Sequence, residues 1–562
     1  MEGFDRDSRL RNVSTEPPSA GAVVHPPARS GTASAERPLF WQLGLLAAVV
    51  ALFMTSPRHG DFWWSDAPRH ALNGVFLLDL LRELPLADPA GFAKNWYAHY
   101  PALSILFYPP LFALSEVPVY ALFGVSHGSA QLTVALYMAA LALGIFALAR
   151  RFLSPAQAFA ATLLFLGGHE IARWGRQVML EIPLLAWLVW AALSYLRYLD
   201  NGQLRFLYGL ALCALGALYT KQTAAFLVAV LGALLLFEQG GTLLRQRGFR
   251  LAALGSAVAL VPLAVLTVKF GQTNLGATTG ETGAELSRLS WANWSYYAEQ
   301  LPRQLGWPVL ILALLYPIAR LYRPERRLPA VEERLLAAWV LGGYGFFSLI
   351  ALKEPRHSAV ILLPIVLFAV AALARWWPAR AATPVLLALA TGQLFYALAV
   401  DRPPAIGGYD QAAAFVADAA PPQSTILFSG YRDGSFVFNL RARDDGRKLG
   451  VLRSDKLLLR VKVKRELGVE QRGLTQEQLA AALNRYGVSY VVNEPLFWND
   501  LEAMQVLQAV LHTPQFVKVG EIAVTGNLPH QDRVLEIYRN LQYTPGSGER
   551  PPLELLIIDQ VI

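Results

Sequence analysis

Long apolar runs separated by short polar breaks occupy the chain between residues 39 and 400. A helix needs about 20 mostly apolar residues to cross a hydrocarbon core roughly 30 Å thick. Eleven runs approach or reach that length: 39–56, 129–149, 155–170, 178–198, 206–220, 222–238, 250–269, 305–322, 335–352, 358–376 and 382–400. The pattern predicts a polytopic α-helical membrane protein with about eleven transmembrane helices.

The pattern changes in residues 401–562, where the apolar runs shorten to strand length. STILFS, SFVFNL and VSYVVN are examples, and they alternate with helical patterns such as TQEQLAAALNRYG. In that helical pattern, Thr475 is placed to cap a helix and Gly487 to end it. We predict a soluble α/β domain here. It contains no glycine-rich phosphate loop and no His or Cys cluster, which favours a lid or acceptor-docking role over an independent enzyme.

The basic residues predict how the chain is oriented. Arg and Lys collect in alternate breaks between the apolar runs, for example at 150–151, 245–250 and 320–334. Cytoplasmic loops are enriched in these residues. We therefore predict a cell inner (plasma) membrane protein with a cytoplasmic N-terminus and long outer loops at 57–128 and 270–304. The C-terminal domain is then extracytoplasmic.

The N-terminal residues 1–38 are rich in Pro, Ser, Arg and Glu without hydrophobic periodicity, which predicts a disordered cytoplasmic tail. The composition excludes an ordinary soluble domain, because 54% of the residues are hydrophobic and 16% are charged. The net charge of +8 is explained by the inner breaks and does not indicate a nucleic-acid partner. The single cysteine, Cys213, lies in an apolar run, which excludes a disulfide framework.

The stretch DFWWSDAPRHALNG opens the first outer loop with two acids, Asp61 and Asp66. Asp66 precedes a proline and an amphipathic pattern, so it is placed either to cap a helix or to act as a functional carboxylate. Asp61 fits no cap. Trp63 and Trp64 suit both the aromatic belt of a membrane interface and stacking against a sugar.

Other charged residues gather at the remaining outer turns. They are His169, Glu170, Arg173, Arg176, Glu181, Lys221, Lys353, Glu354, Arg356 and His357. A charge at membrane depth costs roughly 2.5 to 3.5 kcal/mol on insertion scales, so acids and bases from several turns usually line a polar cavity. The bases alone have a simpler explanation, in which they extend to the interface or pair with neighbouring acids.

The order of the motifs resembles a known family. The acid that opens the first outer loop is followed by YPP at 108–110, RQVMLEIPL at 176–184, TKQTA at 220–224 and PRHSAVILLP at 355–364. Together, over most of residues 55–370, they resemble bacterial relatives of protein O-mannosyltransferases and aminoarabinose transferases. These enzymes belong to the GT-C superfamily of polyprenyl-phosphate-dependent glycosyltransferases.

The resemblance implies that a sugar moves from a polyprenyl-phosphate-sugar donor to a hydroxyl of a lipid, glycan or protein acceptor, at the outer face and with inversion. It implies that Asp66 is the catalytic acid of the first loop, that Glu181 is the second acid, and that Lys221 and Arg356 lie beside the lipid phosphate. Asp61 is added to the catalytic set and His357 to the phosphate site. Residues expected to line the cavity are Arg69, Tyr108, His169, Glu170, Arg173 and Arg176.

Three positions depart from the family pattern. Glu181 stands where the family more often has Asp, Ala67 where Glu is frequent, and Tyr108 with Pro109 where many relatives have His or Lys before Pro. No metal-binding spacing such as HExxH occurs, and no cofactor is firmly implied. A divalent cation held by Asp61 with Asp66, or by His169 with Glu170, is left open.

A transporter or lipid flippase is the alternative function, because its polar cavity also carries charges at membrane depth. Against it, the charges lie at one face, and the two halves of the chain show no internal repeat. A non-catalytic assembly protein is a third possibility. Turnover of a sugar lipid by pure protein in detergent separates an enzyme from a transporter, which needs a sealed membrane.

Overall fold

Apolar helices follow one another from residue 38 to residue 399. The structure is a computed structural model that describes residues 38–271, 276, 279, 287–461, 465, 468–529, 534–545, 554–555 and 560–561. The predicted disordered tail, except for its last residue, lies outside the described residues. From Pro38 onward the described chain forms one compact unit.

The helices of this part are numbered in chain order. They are α1 (Pro38–Met54), α2 (Ala67–Glu83), α3 (Pro89–His99), α4 (Leu111–Phe123), α5 (His127–Ala149), α6 (Pro155–Leu166), α7 (His169–Gly175), α8 (Glu181–Asn201), α9 (Leu204–Thr220), α10 (Ala225–Gln239), α11 (Thr242–Arg245), α12 (Arg247–Phe270), α13 (Trp291–Leu305), α14 (Trp307–Tyr322), α15 (Ala330–Leu349), α16 (Ala359–Trp376) and α17 (Ala379–Ala399). Short 3₁₀ turns lie at Gln222–Ala224, Pro324–Arg326 and Pro355–Ser358.

Six helical segments of the described chain are long and apolar enough to cross a membrane. They are His127–Ala149, Glu181–Asn201, Gln222–Gln239, Arg247–Phe270, Pro355–Trp376 and Ala379–Ala399. Five further apolar helices, α1, α4, α6, α9 and α14, are shorter. Each of the eleven predicted runs overlaps a helix, so the polytopic helical prediction is confirmed, but the count of eleven spans is not.

The apolar run 155–170 is longer than the helix that it forms, so the length of a run does not by itself give the length of a span. Helix α6 ends at Leu166, and Gly167 follows it as the C-cap. A side chain at Gly167 would meet the backbone of Leu394 at 2.8 Å, so the close approach of α17 requires glycine here. The chain then turns and starts the short helix α7, which carries His169, Glu170 and Arg173. The predicted outer loop 57–128 is likewise largely helical, since it contains α2, α3 and α4.

The C-terminal region contains a five-stranded sheet in the order β3-β2-β6-β9-β7. Strands β2 and β3 are parallel, as are β2 and β6, whereas β9 is antiparallel to β6 and β7. The strands are β1 (Ile406–Gly407), β2 (Thr425–Ser429), β3 (Gly450–Arg453), β4 (Leu459–Val461), β5 (Val469–Gln471), β6 (Val488–Asn493), β7 (Phe516–Ala523), β8 (Thr525–Gly526), β9 (Val534–Asn540), β10 (Glu554–Leu555) and β11 (Gln560–Val561). The helices are α18 (Tyr409–Ala419), α19 (Asp433–Arg443), α20 (Ser454–Leu458), α21 (Gln476–Arg485) and α22 (Glu502–Leu511).

Local predictions for this region were mostly correct. STILFS and VSYVVN form β2 and β6. Thr475 caps α21 with a capping box, and Gly487 follows that helix with a φ of 63°. The prediction of SFVFNL as a strand is wrong, because the segment lies in helix α19. Most of α19 is buried on all sides, and a short continuous apolar run does not distinguish a buried helix from a buried strand.

The sheet joins the two parts of the protein. Alternate residues of β2 face opposite ways: Ile426 and Phe428 belong to the same hydrophobic core as the helical bundle, whereas Leu427 belongs to a second core on the far face. Helices α18 and α19 lie on the bundle side, and α19 packs against α2. The first loop and α2 are therefore held between the bundle and the C-terminal sheet.

Candidate active site

Four charged side chains meet at one end of the bundle, where several helices begin or end. Glu181 is the first residue of α8, Lys221 follows the last residue of α9, and Arg356 lies in the 3₁₀ turn before α16. Asp66 directly precedes α2. Because α8 and α9 are antiparallel neighbours, the start of one and the end of the other reach the same level.

The four side chains form a continuous chain of opposite charges. The Lys221 Nζ donates to Glu181 Oε1 at 2.9 Å, and Arg356 Nη2 donates to Asp66 Oδ2 at 3.2 Å. Arg356 Nε lies 3.9 Å from Glu181 Oε1, and the same guanidinium pairs with Glu354. The structure thus brings together two of the three predicted catalytic acids, Asp66 and Glu181, and two of the three predicted phosphate-binding residues, Lys221 and Arg356.

Burial makes this cluster unusual for a set of ion pairs. The side chain of Glu181 is only 4% exposed and that of Arg356 16%, whereas Asp66 is 28% exposed. Glu181 Oε2 is buried and lacks a hydrogen-bond partner in the described structure, whereas Arg356 Nε is paired with Glu354 Oε2. Buried polar atoms in folded proteins are nearly always hydrogen-bonded. An unsatisfied carboxylate oxygen among these ion pairs indicates a place where a polar ligand binds.

Asp66 occupies the N-cap position of α2, but its side chain makes no capping hydrogen bond. Its carboxylate turns to Arg356 instead. Burial raises the pKa of Asp66, but the nearby positive charges, that of Arg356 above all and that of Arg69, outweigh burial and hold that pKa below its ordinary value of 3.8. Asp66 is therefore an ionised carboxylate at neutral pH, available to accept a proton.

His70 and Tyr108 complete the wall beside Asp66. The buried ring of His70 lies 4.5 Å from the ring of Tyr108, centroid to centroid. Burial lowers the pKa of His70 to about 4, although Asp66 and Glu181 act in the opposite direction, so the imidazole is neutral. Burial and then Asp66 raise the pKa of Tyr108, which keeps its proton. His70 was not among the predicted site residues, although its spacing of one helical turn from Asp66 was a signal in the sequence.

Trp174 places an aromatic face next to the bases. The guanidinium of Arg356 lies 5.8 Å from the Trp174 ring centroid. The indole Nε1 of Trp174 donates to Glu170 Oε1 at 2.7 Å, which fixes the ring. Glu170 thus reaches the cluster only through Trp174.

Asp61 lies outside the cluster. It is 1% exposed, and its Oδ2 accepts hydrogen bonds from the backbone N–H groups of Tyr409 at 2.8 Å and Asp410 at 3.2 Å. Its Oδ1 accepts from Asn439 Nδ2 at 2.7 Å. Asp61 therefore caps α18 from a distant part of the chain, because Gly408 at the N-cap position has no side chain to do so. Burial and the nearby Asp410 raise the pKa of Asp61.

Three residues predicted to line the cavity hold the C-terminal domain in place. Arg69 Nη2 lies 3.2 Å from Asp433 Oδ2, and His169 Nδ1 lies 2.7 Å from Asp401 Oδ2. Arg176 donates to the carbonyl oxygens of Ala397 at 2.8 Å and Asp401 at 2.7 Å, where α17 ends. These contacts join the first loop, the turn around α7 and the start of the C-terminal domain.

His357 follows Arg356 in the chain and packs against α13 and α15. Nδ1 of His357 lies 3.5 Å from the hydroxyl of Tyr297 on α13, and its ring stacks on Phe347. Arg173 is half-buried on α7. Within the described ranges, no group of three or more His, Cys, Asp or Glu side chains is placed to hold a metal ion.

Comparisons with known proteins identify the fold. Residues 108–266 match the family model described as dolichyl-phosphate-mannose-protein mannosyltransferase. ArnT from Cupriavidus metallidurans bound to undecaprenyl phosphate is similar in structure, with a TM-score of 0.63 and 15% identity over 90% of this chain and 99% of that chain. The apo state of the same protein gives a TM-score of 0.61 and 16% identity over 90% and 98%.

The arabinofuranosyltransferase AftD from Mycobacteria matches with a TM-score of 0.50 and 15% identity, over 90% of this chain but 40% of its own. No curated protein sequence matches the chain. At these identities the likeness establishes the fold, which is like that of ArnT. The family resemblance drawn from the motifs is confirmed at that level.

Proposed function

We propose that this GT-C-fold protein is a membrane glycosyltransferase that transfers a sugar from a polyprenyl-phosphate sugar to an acceptor hydroxyl of a lipid, glycan or protein. The observation that carries the proposal is the buried chain of charges Asp66–Arg356–Glu181–Lys221 at one end of the bundle. One position supplies an ionised acid, and the neighbouring positions supply fixed cations. Transfer of a sugar from a phosphate needs both.

Arg356 and Lys221 bind the donor's phosphate in this proposal. Both lie at helix ends, where an amphipathic lipid presents its phosphate at the polar boundary while its chain stays in the bilayer. The planar fork of Arg356 suits two phosphate oxygens, and Lys221 acts as a point charge. The incoming phosphate competes with Asp66 for Arg356, so donor binding frees the carboxylate.

The chemical step then follows from the positions of these groups. The acceptor oxygen attacks C1 of the sugar, and its proton passes to the carboxylate of Asp66. The bond between C1 and the phosphate oxygen breaks, and polyprenyl phosphate leaves with the bonding electrons, its growing charge stabilised by Arg356 and Lys221. Attack opposite to the leaving group inverts the configuration at C1. A positioned base typically contributes a factor of about 10² to 10⁴ in rate.

Glu181 acts as the second acid of the site. Its Oε1 is bound to Lys221, which fixes that ammonium, while its Oε2 stays free for the substrate. Asp61, in contrast, is placed to hold the C-terminal domain and not to contact the substrate. Of the predicted catalytic set, Asp66 and Glu181 therefore keep chemical roles.

We also propose that this end of the bundle faces away from the cytoplasm, in the inner membrane of a cell. The opposite end carries the ion pair of Arg151 with Asp200, 2.6 Å apart, among the basic breaks that predict a cytoplasmic side. Membrane-impermeant labelling of single introduced cysteines should modify the exposed positions 94 and 445 in intact cells and spare the exposed position 325. The opposite labelling pattern would show that the proposed membrane orientation is wrong.

The test of activity uses pure protein in detergent with polyprenyl phosphates that carry a radiolabelled hexose or pentose. An enzyme releases polyprenyl phosphate and labels an acceptor without a sealed membrane. The matched variants are Asp66→Asn, expected to be inactive, and Asp61→Asn, expected to be active. Movement of intact donor across sealed vesicles, with no turnover in detergent, would instead establish the transporter alternative.

A further inference from the structure

The indole N–H of Trp64 is a buried donor without a partner in the described structure. Buried indole N–H groups usually find a hydrogen-bond acceptor. Trp64 lies two residues before Asp66, and its backbone oxygen accepts from Ala67 N at 3.2 Å, so its position is tied to that of the acid. An unsatisfied donor in this place calls for an acceptor from outside the chain.

Trp64 continues the aromatic wall that ends at Arg356. Its ring centroid lies 5.0 Å from that of Trp174, with 45° between the ring planes. Trp174 in turn contacts Arg356, whose other neighbours are Asp66 and Glu181. Two buried atoms without partners, Trp64 Nε1 and Glu181 Oε2, are therefore linked by one set of contacts through Trp174 and Arg356.

The chemistry of these atoms narrows the ligand class. A phosphate group only accepts hydrogen bonds at neutral pH and would be repelled by the carboxylate oxygen of Glu181. A hydrocarbon chain satisfies neither that oxygen nor the indole N–H. A sugar fits both, because each hydroxyl donates and accepts, and its C–H faces pack against aromatic rings.

The neighbouring Trp63 has a different environment. Arg432 of the C-terminal domain lies over its ring, 4.8 Å from the centroid, and donates to its backbone oxygen. Trp63 therefore belongs to the contact between the first loop and the C-terminal domain. The two tryptophans are adjacent in sequence, but their surroundings indicate two different roles.

We propose that Trp64 donates a hydrogen bond to a hydroxyl of the donor's sugar, beside the Trp64–Trp174 wall, while Glu181 Oε2 accepts from another hydroxyl. This inference rests on the proposed function and adds the place where the sugar is recognised. Trp64 is then a specificity-determining residue, and it distinguishes a sugar-bearing polyprenyl phosphate from the bare lipid.

The test compares binding of two kinds of lipid to the full chain in nanodiscs: undecaprenyl phosphate alone, and the same lipid carrying one hexose or pentose from a defined panel. Wild type should bind at least one sugar lipid about tenfold or more tightly than the bare lipid. Trp64→Phe keeps an aromatic ring and removes the N–H. It should reduce this preference about tenfold and leave binding of the bare lipid unchanged, whereas Trp63→Phe should change neither.

A second measurement uses donors that each lack one hydroxyl. The deoxy donor that has lost the partner of Trp64 should bind wild type about tenfold more weakly than the parent sugar lipid, and should bind Trp64→Phe as well as the parent does. Failure of every deoxy donor to show this pattern would overturn the assignment, as would an unchanged sugar preference in Trp64→Phe. Equal binding of bare and sugar lipids by wild type would remove the sugar site but keep polyprenyl-phosphate recognition. Absence of binding by both lipids would refute the proposed function as well.

Discussion

Asp61 and Asp66 stand five residues apart in the same loop, yet their surroundings are opposite. Asp61 is almost fully buried and binds three neutral donors, two backbone N–H groups and an amide. Asp66 is partly exposed and faces the guanidinium of Arg356. Neutral donors fixed in the backbone hold a carboxylate in one place, whereas a charged side chain can exchange it for a ligand. Under the proposed function, the partner, and not the acid itself, separates a structural aspartate from a chemical one.

The pKa directions agree with this division. Burial and Asp410 raise the pKa of Asp61, while Arg356 and its neighbours lower that of Asp66 despite burial. A raised pKa favours the neutral form, which a structural acceptor tolerates. A lowered pKa secures the ionised form, which a base requires.

The largest expected effect separates the two aspartates by activity. Asp66→Asn keeps the size of the side chain but removes the basic carboxylate, so single-turnover transfer should fall by about 10² or more while the protein stays folded. Asp61→Asn keeps an acceptor oxygen and should stay within about tenfold of wild type. Quenched-flow assays in detergent, with thermal unfolding as the folding control, measure both. Equal losses in the two variants would erase the distinction.

Arg356 and Lys221 provide the second prediction. Arg356→Lys should lower kcat about 10- to 100-fold because an ammonium cannot replace the planar fork that holds two phosphate oxygens. Lys221→Arg should keep much of the activity, since only a positive charge is needed there. Steady-state kinetics with a sugar lipid decide the matter. Wild-type kcat in both variants would show that Arg356 and Lys221 pair with Asp66 and Glu181 but do not stabilise the leaving phosphate.

The third prediction tests the structural side of the comparison. Asp61→Leu leaves the N–H groups of Tyr409 and Asp410 without an acceptor, and each unsatisfied buried donor costs about 1 to 3 kcal/mol. We expect the free energy of unfolding to fall by about 2 to 4 kcal/mol. Asp61→Asn should lose clearly less. Denaturant unfolding in detergent, followed by the near-ultraviolet signal, compares them, and equal stability of the leucine variant would show that the cap is dispensable.

The smallest effect concerns pH. Because the folded pKa of Asp66 is lowered below 3.8, its carboxylate stays ionised as the pH falls from 7 towards 4. Single-turnover rates should therefore be nearly constant over that range and decline only as the pH passes below the ordinary pKa. The stability gained from the Asp66–Arg356 contact is likewise present above the unfolded pKa and lost at lower pH. An acidic limb near pH 6 in stable protein would contradict the depressed pKa.

The sequence predicted the helices well because an apolar run and its length are local properties. It also predicted which charged residues lie near helix ends, for the same reason, since each adjoins an apolar run. Their pairing could not be predicted: Asp66 and Arg356 are 290 residues apart, and nothing in the spacing joins them.

The role of Asp61 could not be predicted from the sequence for a different reason. Two of its three partners are backbone N–H groups, which every residue except proline carries, so no residue type marks them. The break after α6 was equally hidden, because it depends on the backbone of α17 near Leu394. Contacts made through the backbone therefore set the limit of what side-chain patterns predict.

The contact between Asp61 and α18 also has a consequence for biogenesis. Asp61 leaves the ribosome 348 residues before Tyr409, whose N–H group donates a hydrogen bond to it. At a synthesis rate of roughly 5 to 20 residues per second, Tyr409 is made about 17 to 70 s after Asp61. The bundle can enter the membrane during that interval, but the loop that carries Asp66 is secured only after the C-terminal sheet has emerged and folded. A chain still under synthesis therefore carries the charged residues of the site before the contact that holds the first loop can form.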